Sequence, residues 1–306
     1  MVDSPCDTRA MPTSRLPRAG FILLALLSLG WGFNWPIMKL VITDIPRLIF
    51  RGDCIVLASL GLFAIARFSG QALRVPPGRW PQLIGLAACN IAGWNVFAIY
   101  GVSMLPSGRA AILGYTMPVW SALLSIWLLD EALTRRRLLG LALGMGGMGL
   151  LIGTEIDKLG SAPVGVILML IAAIFWAGGL VWYKRDPVPM PITSLTAWQA
   201  LIGGIPVAIA GHTLETVNWN AVGLWPWFGY WYNVFVALTF CYWAWNKLVQ
   251  MVPASVSSLG SLIVPVIGVF SGMLVLGEVP HWQDFLALLL VLAAIATVLV
   301  SPPPRA

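Results

Sequence analysis

Apolar residues run on in this chain for about twenty positions at a time, and only short polar breaks separate the runs. Ten such segments can be marked, at roughly 20–41, 46–67, 80–101, 106–128, 136–154, 162–183, 190–210, 222–245, 253–276 and 282–300. With a rise of about 1.5 Å per residue, each is long enough as a helix to cross a hydrocarbon core of about 30 Å. The longest polar interruptions, 68–79 and 211–221, leave no room for a soluble domain. Hydrophobic residues make up 59% of the chain and charged ones 10%, and mean hydropathy is +0.86. The expectation is an all-α integral membrane protein of ten transmembrane helices. Its first helix follows a basic tail with no small-residue cleavage site and is expected to stay.

One stretch recurs. Pro106, Pro118 and Glu131 reappear 147 residues later as Pro253, Pro265 and Glu278, and Met104 as Met251. Two tandem five-helix units follow, residues 20–154 and 161–300, between tails at 1–19 and 301–306. In each copy the inner proline falls about 18 Å along its span, near the middle of the membrane. It frees a carbonyl one turn back, at Gly114 or Ser261. Such breaks are tolerated where backbone is buried in protein or lines a watery cavity. Pro118 and Pro265 are therefore matched hinge candidates, with a packing kink as the rival reading.

Charge sets the orientation. With the N-terminus inside, 13 of the 18 lysines and arginines fall on cytoplasmic loops, while Asp44, Glu155, Asp157, Glu215, Glu278 and Asp284 gather outside. Both termini are then cytoplasmic in a multi-pass inner-membrane protein. Five spans per unit is odd, so the second unit enters from the opposite face. Inverted repeats with interrupted helices are the architecture of secondary transporters.

The motifs LGWGFNWPIMK, IPRLIFR, NVFAIYGVSMLP, PVWSALLSIWLLDEALTRRRLLG and FWAGGLVWYKR, in that order, resemble the EamA-type repeat of the drug/metabolite transporter superfamily over nearly all of residues 20–300. The resemblance implies ten helices, cytoplasmic ends and export of small metabolites. The length and the many tryptophans are similar to the YddG-like branch of aromatic amino-acid exporters.

Trp31, Asn34, Trp35 and Met38 fall at i, i+3, i+4 and i+7 and share one helix face. Asn90, Trp94, Phe97 and Gly101 form a second stripe, and Trp176, Gly179 and Tyr183 a third. Trp227, Trp231 and Phe235 add a denser one, and Trp219, Trp225 and Trp227 read as an interfacial belt. Tyr115 shares a face with Pro118, and Ser258 and Ser261 with Pro265. The candidate substrate-binding set is Trp31, Asn34, Trp35, Asn90, Trp94, Tyr115, Trp176, Tyr183, Ser258 and Ser261, with Asn34 bonding the solute's polar end. Helix packing is the rival for all of them. Asp53 is the sole carboxylate well inside a span and the proton-coupling candidate, against a structural bond to another helix. Arg51, two residues away, points elsewhere and can snorkel outward.

Other classes lack their chemistry. GMGGMG at 144–149 fits the dinucleotide fingerprint but lies inside an apolar helix rather than after a strand, and its glycines suit close helix packing. There is no HExxH and no GxSxG. The two histidines, His212 and His281, sit by outer loops, so an intramembrane enzyme is the remote alternative. Cys6, Cys54, Cys89 and Cys241 have neither metal-ligand nor disulfide spacing. No cofactor or metal is implied. The net charge of +6 belongs to the topology and calls for no nucleic acid.

The expected partners are the lipid bilayer and one small solute, handled by a monomer. A cationic drug would want a buried counter-charge, and a nucleotide sugar would want converging cations. Nothing deeper than Lys39, Arg51 and Arg109 is available, all toward the outer side. Neutral and aromatic amino acids fit best, with multidrug export as the alternative.

Overall fold

The computed structural model describes residues 18–129, 134–156, 162–251 and 263–299. Helix α1 (Arg18–Val41) and α2 (Arg47–Phe68) are joined by a turn at 42–46. Next come α3 (Trp80–Ala87), a π-helical segment (Ala88–Gly93) and α4 (Trp94–Met104), which form one continuous rod. The following helix is broken into α5 (Ser107–Gly114) and α6 (Met117–Leu128). Helices α7 (Arg135–Ile156), α8 (Ala162–Arg185) and α9 (Ile192–Leu214) are uninterrupted. Then α10 (Leu224–Tyr232), a second π-helical segment (Asn233–Phe240) and α11 (Cys241–Met251) make another rod, followed by α12 (Ile263–Leu276) and α13 (Trp282–Leu299). No strand occurs among the described residues.

Among the described residues, six helices are long and apolar enough to cross a membrane, spanning Ala19–Val41, Arg47–Phe68, Trp80–Met104, Ser107–Leu128, Pro163–Arg185 and Ile192–Leu214. Shorter apolar helices add Leu138–Leu151, Ile263–Leu276 and Trp282–Thr297. Large apolar side chains such as Phe21, Leu60, Trp127, Leu224 and Leu274 point outward from the bundle. In water that surface would be a liability, whereas lipid tails accept it.

Helix α2 lies along α9 and α7 along α13, α1 packs on α12, and α4 and α6 pack on α8. The α2–α9 contact is backbone on backbone. A β-carbon on Gly52 would lie 2.4 Å from Ala208 Cα, and one on Gly211 2.6 Å from the Ile49 nitrogen. Small residues permit that approach, the usual device of helix association in lipid.

The two ends of the bundle are tied differently. At the end carrying Glu278, carboxylates cap neighbouring helices. Leu48 and Ile49 N–H donate to Glu215 at 2.8 and 3.0 Å, closing the start of α2. Ser107 N–H and Gly108 N–H donate to Glu278 at 2.6 and 3.2 Å, closing the start of α5. Gly223 N–H and then the Thr43 hydroxyl donate to Asp44, which holds that carboxyl below its usual range and pins the α1–α2 turn to the start of α10. At the opposite end Arg79 donates to both oxygens of Asp186 at 2.8 Å, and Trp198 Nε1 donates to the Leu73 carbonyl.

Candidate functional site

Where α1, α2, α4, α8 and α11 converge on the α5–α6 break, they enclose a cavity of about 90 Å³, enough for several waters. Its walls are Trp31, Asn34, Trp35 and Met38 from α1, Arg51 from α2, and Trp94 and Ala98 from α4. Tyr115 and Met117 enter at the break, Trp176 comes from α8, and Ala237, Leu238 and Tyr242 come from the α10–α11 rod. The four α1 residues predicted to share a face do so, because α1 is regular through Pro36.

The aromatic rings brace one another. Trp31 meets Tyr242 edge to face at 5.9 Å, and Tyr242 leans on Trp176 at 6.5 Å. Trp176 meets Trp94 edge to face at 5.5 Å. The Trp31 indole N–H donates to the Ala237 carbonyl at 3.0 Å, which fixes that ring to a π-helical turn. Trp35 sits in a notch: a β-carbon on Gly114, the last residue of α5, would come within 2.7 Å of its ring.

Arg51 corrects the sequence reading. Rather than snorkelling outward it is buried, 4% exposed, and the residue forms part of the cavity wall. Nη1 donates to Asn233 Oδ1 at 2.9 Å and Nη2 to Asn95 Oδ1. Both amides are pre-aimed. Asn95 Nδ2 donates to the Ile91 carbonyl at 2.8 Å and Asn233 Nδ2 to the Gly229 carbonyl at 3.0 Å, so each turns its oxygen toward Arg51. Nε has no partner, and no carboxylate pairs with Arg51 among the described residues. Asn34 Oδ1 is likewise buried and unpartnered.

Trp31, Asn34, Trp35, Trp94, Tyr115 and Trp176 thus meet at one cavity, and three other candidates lie apart from it or end differently. Asn90 packs against Gly179 and donates to Gln199 Oε1 at 3.3 Å. The π turn at 88–93 explains it, because the extra residue rotates everything before it off the face that Trp94 occupies. Of the same stripe, Phe97 stacks on Phe175 and Gly101 packs on Met169. Tyr183 sits about 10 Å along α8 from Trp176, in a separate cluster with Leu83, Leu86 and Leu195. Asp53 faces His212 Nε2 at 2.9 Å, near the end of α9. Trp231 and Phe235 stack on each other on the outer surface, 44% and 61% exposed. Ser258 and Ser261 lie outside the described residues, as does Glu131.

Pro118 falls in the first turn of α6, just past the break at Tyr115 and Thr116, and Pro265 near the start of described α12. A second pocket, about 210 Å³, opens at the Glu278 end between Lys39, Arg109, Glu278, His281 and Asp284. There Lys39 lies 3.7 Å from Glu278, and Arg109 Nε donates to Asp284 at 2.7 Å.

Sequence reasoning missed Arg51 as a cavity residue, together with Asn95, Asn233 and Tyr242. The two asparagines carried a usable signal, since an amide deep in an apolar span needs a polar partner and Arg51 is the nearest unassigned one in the neighbouring spans.

A bundle of membrane-length helices closed around an aromatic cavity is the form of a membrane transporter rather than an enzyme. The EamA-like transporter family matches residues 18–153 and 163–300, and the chain belongs to that family. It is 27% identical to the uncharacterized transporter YoaV of Bacillus subtilis over 265 residues, 84% of this chain and 89% of that one. A probable amino-acid metabolite efflux pump of Salmonella typhimurium is 26% identical over 286 residues, 90% and 93% of the two chains. An S-adenosylmethionine/S-adenosylhomocysteine transporter of Chlamydia muridarum is 24% identical over 279 residues, 86% and 85%. A solved crystal structure shares the fold, with a TM-score of 0.66 at 19% identity over 91% of this chain and 96% of that one. The chain is a multi-pass membrane transporter of small molecules.

Proposed function

We infer that this protein exports small neutral metabolites, aromatic and other neutral amino acids foremost, by alternating access across the inner membrane, working as a monomer. One observation carries the reading. The central cavity is walled by Trp31, Trp35, Trp94, Tyr115, Trp176 and Tyr242, with the unpartnered Asn34 oxygen among them. Such walls take an apolar or aromatic side chain, while Asn34 accepts from an amino group. Opening a path at the Glu278 end separates Glu278 from Lys39 and from the α5 amides.

The wider architecture in this reading is ten spans in two inverted five-helix units, 20–154 and 161–300, with both termini cytoplasmic. The 147-residue repeat supports it, and so do the π segments: shifted by 147, Ala88–Gly93 falls on 235–240, inside the second segment. Relatives named for amino-acid metabolites and for S-adenosylmethionine agree with a solute of this kind. A cationic drug fits less well, because Arg51 already brings a positive charge to the cavity and no acidic side chain among the described residues lines it.

The test is flux in reconstituted liposomes. Labelled tryptophan, phenylalanine, leucine and methionine are expected to exchange, and lysine, glutamate and a cationic dye are not. Movement of the dye without the neutral amino acids replaces this reading with multidrug export.

A further inference from the structure

Arg51 is the one cavity residue whose chemistry the aromatic walls leave unexplained. Arg51 is 4% exposed, and its two side-chain partners among the described residues are neutral amide oxygens, Asn95 Oδ1 and Asn233 Oδ1. Its Nε donor is buried and has no partner among the described residues. Asp53, the closest carboxylate in sequence, points to the far side of α2 and is occupied by His212. The segment 252–262, outside the described residues, contains no Asp or Glu at all. A guanidinium stays charged at any pH a cell reaches, so among the described residues a full positive charge is held in a low-dielectric cavity without an ionic partner.

The amide nitrogens of the same two residues, Asn95 and Asn233, are spent on their own helix backbones beside the π segments, which fixes both oxygens toward Arg51. The fork is therefore held rigid rather than neutralised. A rigid guanidinium with a buried donor left unpartnered among the described residues is an arrangement that a carboxylate completes.

We propose that Arg51 is the docking point for a carboxylate of the transported solute, so that the cavity takes free acids and rejects the amides and amines that carry the same side chain. A single arginine limits the solute to one such group. The ring end rests on the amino-acid reading above, whereas the carboxylate anchor rests on Arg51 alone.

The experiment is ligand-induced thermal stabilisation of the purified full-length protein in detergent. The probes are L-tryptophan, L-tryptophan amide, tryptamine and indole-3-propionate, with affinities taken from the concentration dependence of the midpoint. Tryptophan and indole-3-propionate are expected to raise the midpoint, and the amide and the amine to bind about tenfold or more weakly, the scale of a charge-assisted contact. Arg51→Gln is expected to erase the preference for acids and Arg51→Lys to keep part of it. Equal binding of tryptophan and its amide, a preference that survives Arg51→Gln, or no stabilisation by either acid overturns the anchor. Should Arg51→Gln fail to fold, the acid and amide comparison on the unaltered protein decides by itself. Stabilisation by indole-3-propionate but not by tryptophan upholds the anchor and removes the amino-acid reading. Exchange of tryptophan in liposomes with equal binding of its amide keeps the amino-acid reading and removes the anchor.

Discussion

Burying a guanidinium costs several kcal/mol even after the surroundings relax, and neutral amide oxygens return only part of that. A carboxylate about 4 Å away would contribute on the order of 4 kcal/mol at an effective dielectric constant of about 20, which makes an anion the natural complement of Arg51. The same arithmetic explains why the site was only half legible in the sequence. Trp31, Asn34, Trp35 and Met38 could be placed together because spacing on a regular helix fixes a face. Whether a charge near a span end bends outward or turns inward depends on partners from other spans, here Asn95 and Asn233, and spacing within one helix says nothing of those. Asp53 is the converse case, and its partner His212 ties α2 to α9 with the imidazole exposed and the carboxylate half-buried. If flux is proton-linked, a carboxylate and an imidazole in contact are the groups suited to carry it. Asp53→Asn is then expected to flatten the response of liposome flux to an imposed pH gradient while tryptophan exchange without a gradient persists. An intact gradient response in that variant takes Asp53 out of the coupling role.

At the scale of elements, the departures from regular helix are what build the cavity. Both rods that cross the centre, Trp80–Met104 and Leu224–Met251, contain a π turn, and each turn leaves carbonyls that an asparagine or an indole then satisfies. No residue pattern announced those turns. A stripe drawn through Asn90 at ordinary spacing therefore misses the cavity there, while Trp94, just past the turn, lines it. The break before Pro118 was readable, because proline removes a donor and the helix gives way in the preceding turn. There Tyr115 N–H donates to the Ala111 carbonyl and Thr116 N–H to the Leu113 carbonyl, so the chain tightens, and α6 restarts at Met117. The break presents Tyr115 and Met117 to the cavity, and we propose it as a hinge about which the two halves tilt separately. Pro118→Ala allows one continuous helix from Ser107 to Leu128, and Pro265→Ala is its counterpart under the repeat. Each variant is expected to insert and to keep its thermal midpoint near that of the parent while losing most of its flux. Full transport by both in liposomes would mean that the kinks serve packing alone.

For the molecule as a whole, the apolar runs made the helical, membrane-embedded class legible, since runs of that length have few other fates. The pairing of helices was not legible. The α2–α9 and α7–α13 contacts join residues far apart in the chain and turn on glycine notches such as Gly52 and Gly211 that look unremarkable in sequence. The ends of the bundle nonetheless differ in a way that charge alone anticipates. The Glu278 end gathers Asp44, Glu215, Glu278 and Asp284, which accept from backbone amides and from Arg109, whereas Arg79, Arg185 and Lys184 stand at the Asp186 end. Because basic residues are retained on the cytoplasmic side, the Asp186 end is expected to face the cytoplasm and the Glu278 end the outside. A reporter enzyme that works only outside the cytoplasm should then be silent when fused after Arg305 and active when inserted in the loop that follows His212. The tail fusion checks the parity of the spans, because an even number returns the C-terminus to the side of the N-terminus, and the loop insertion checks which side that is. An active tail fusion with a silent loop insertion would reverse the orientation and with it the assignment of the Lys39, Arg109 and Glu278 pocket to the outer face.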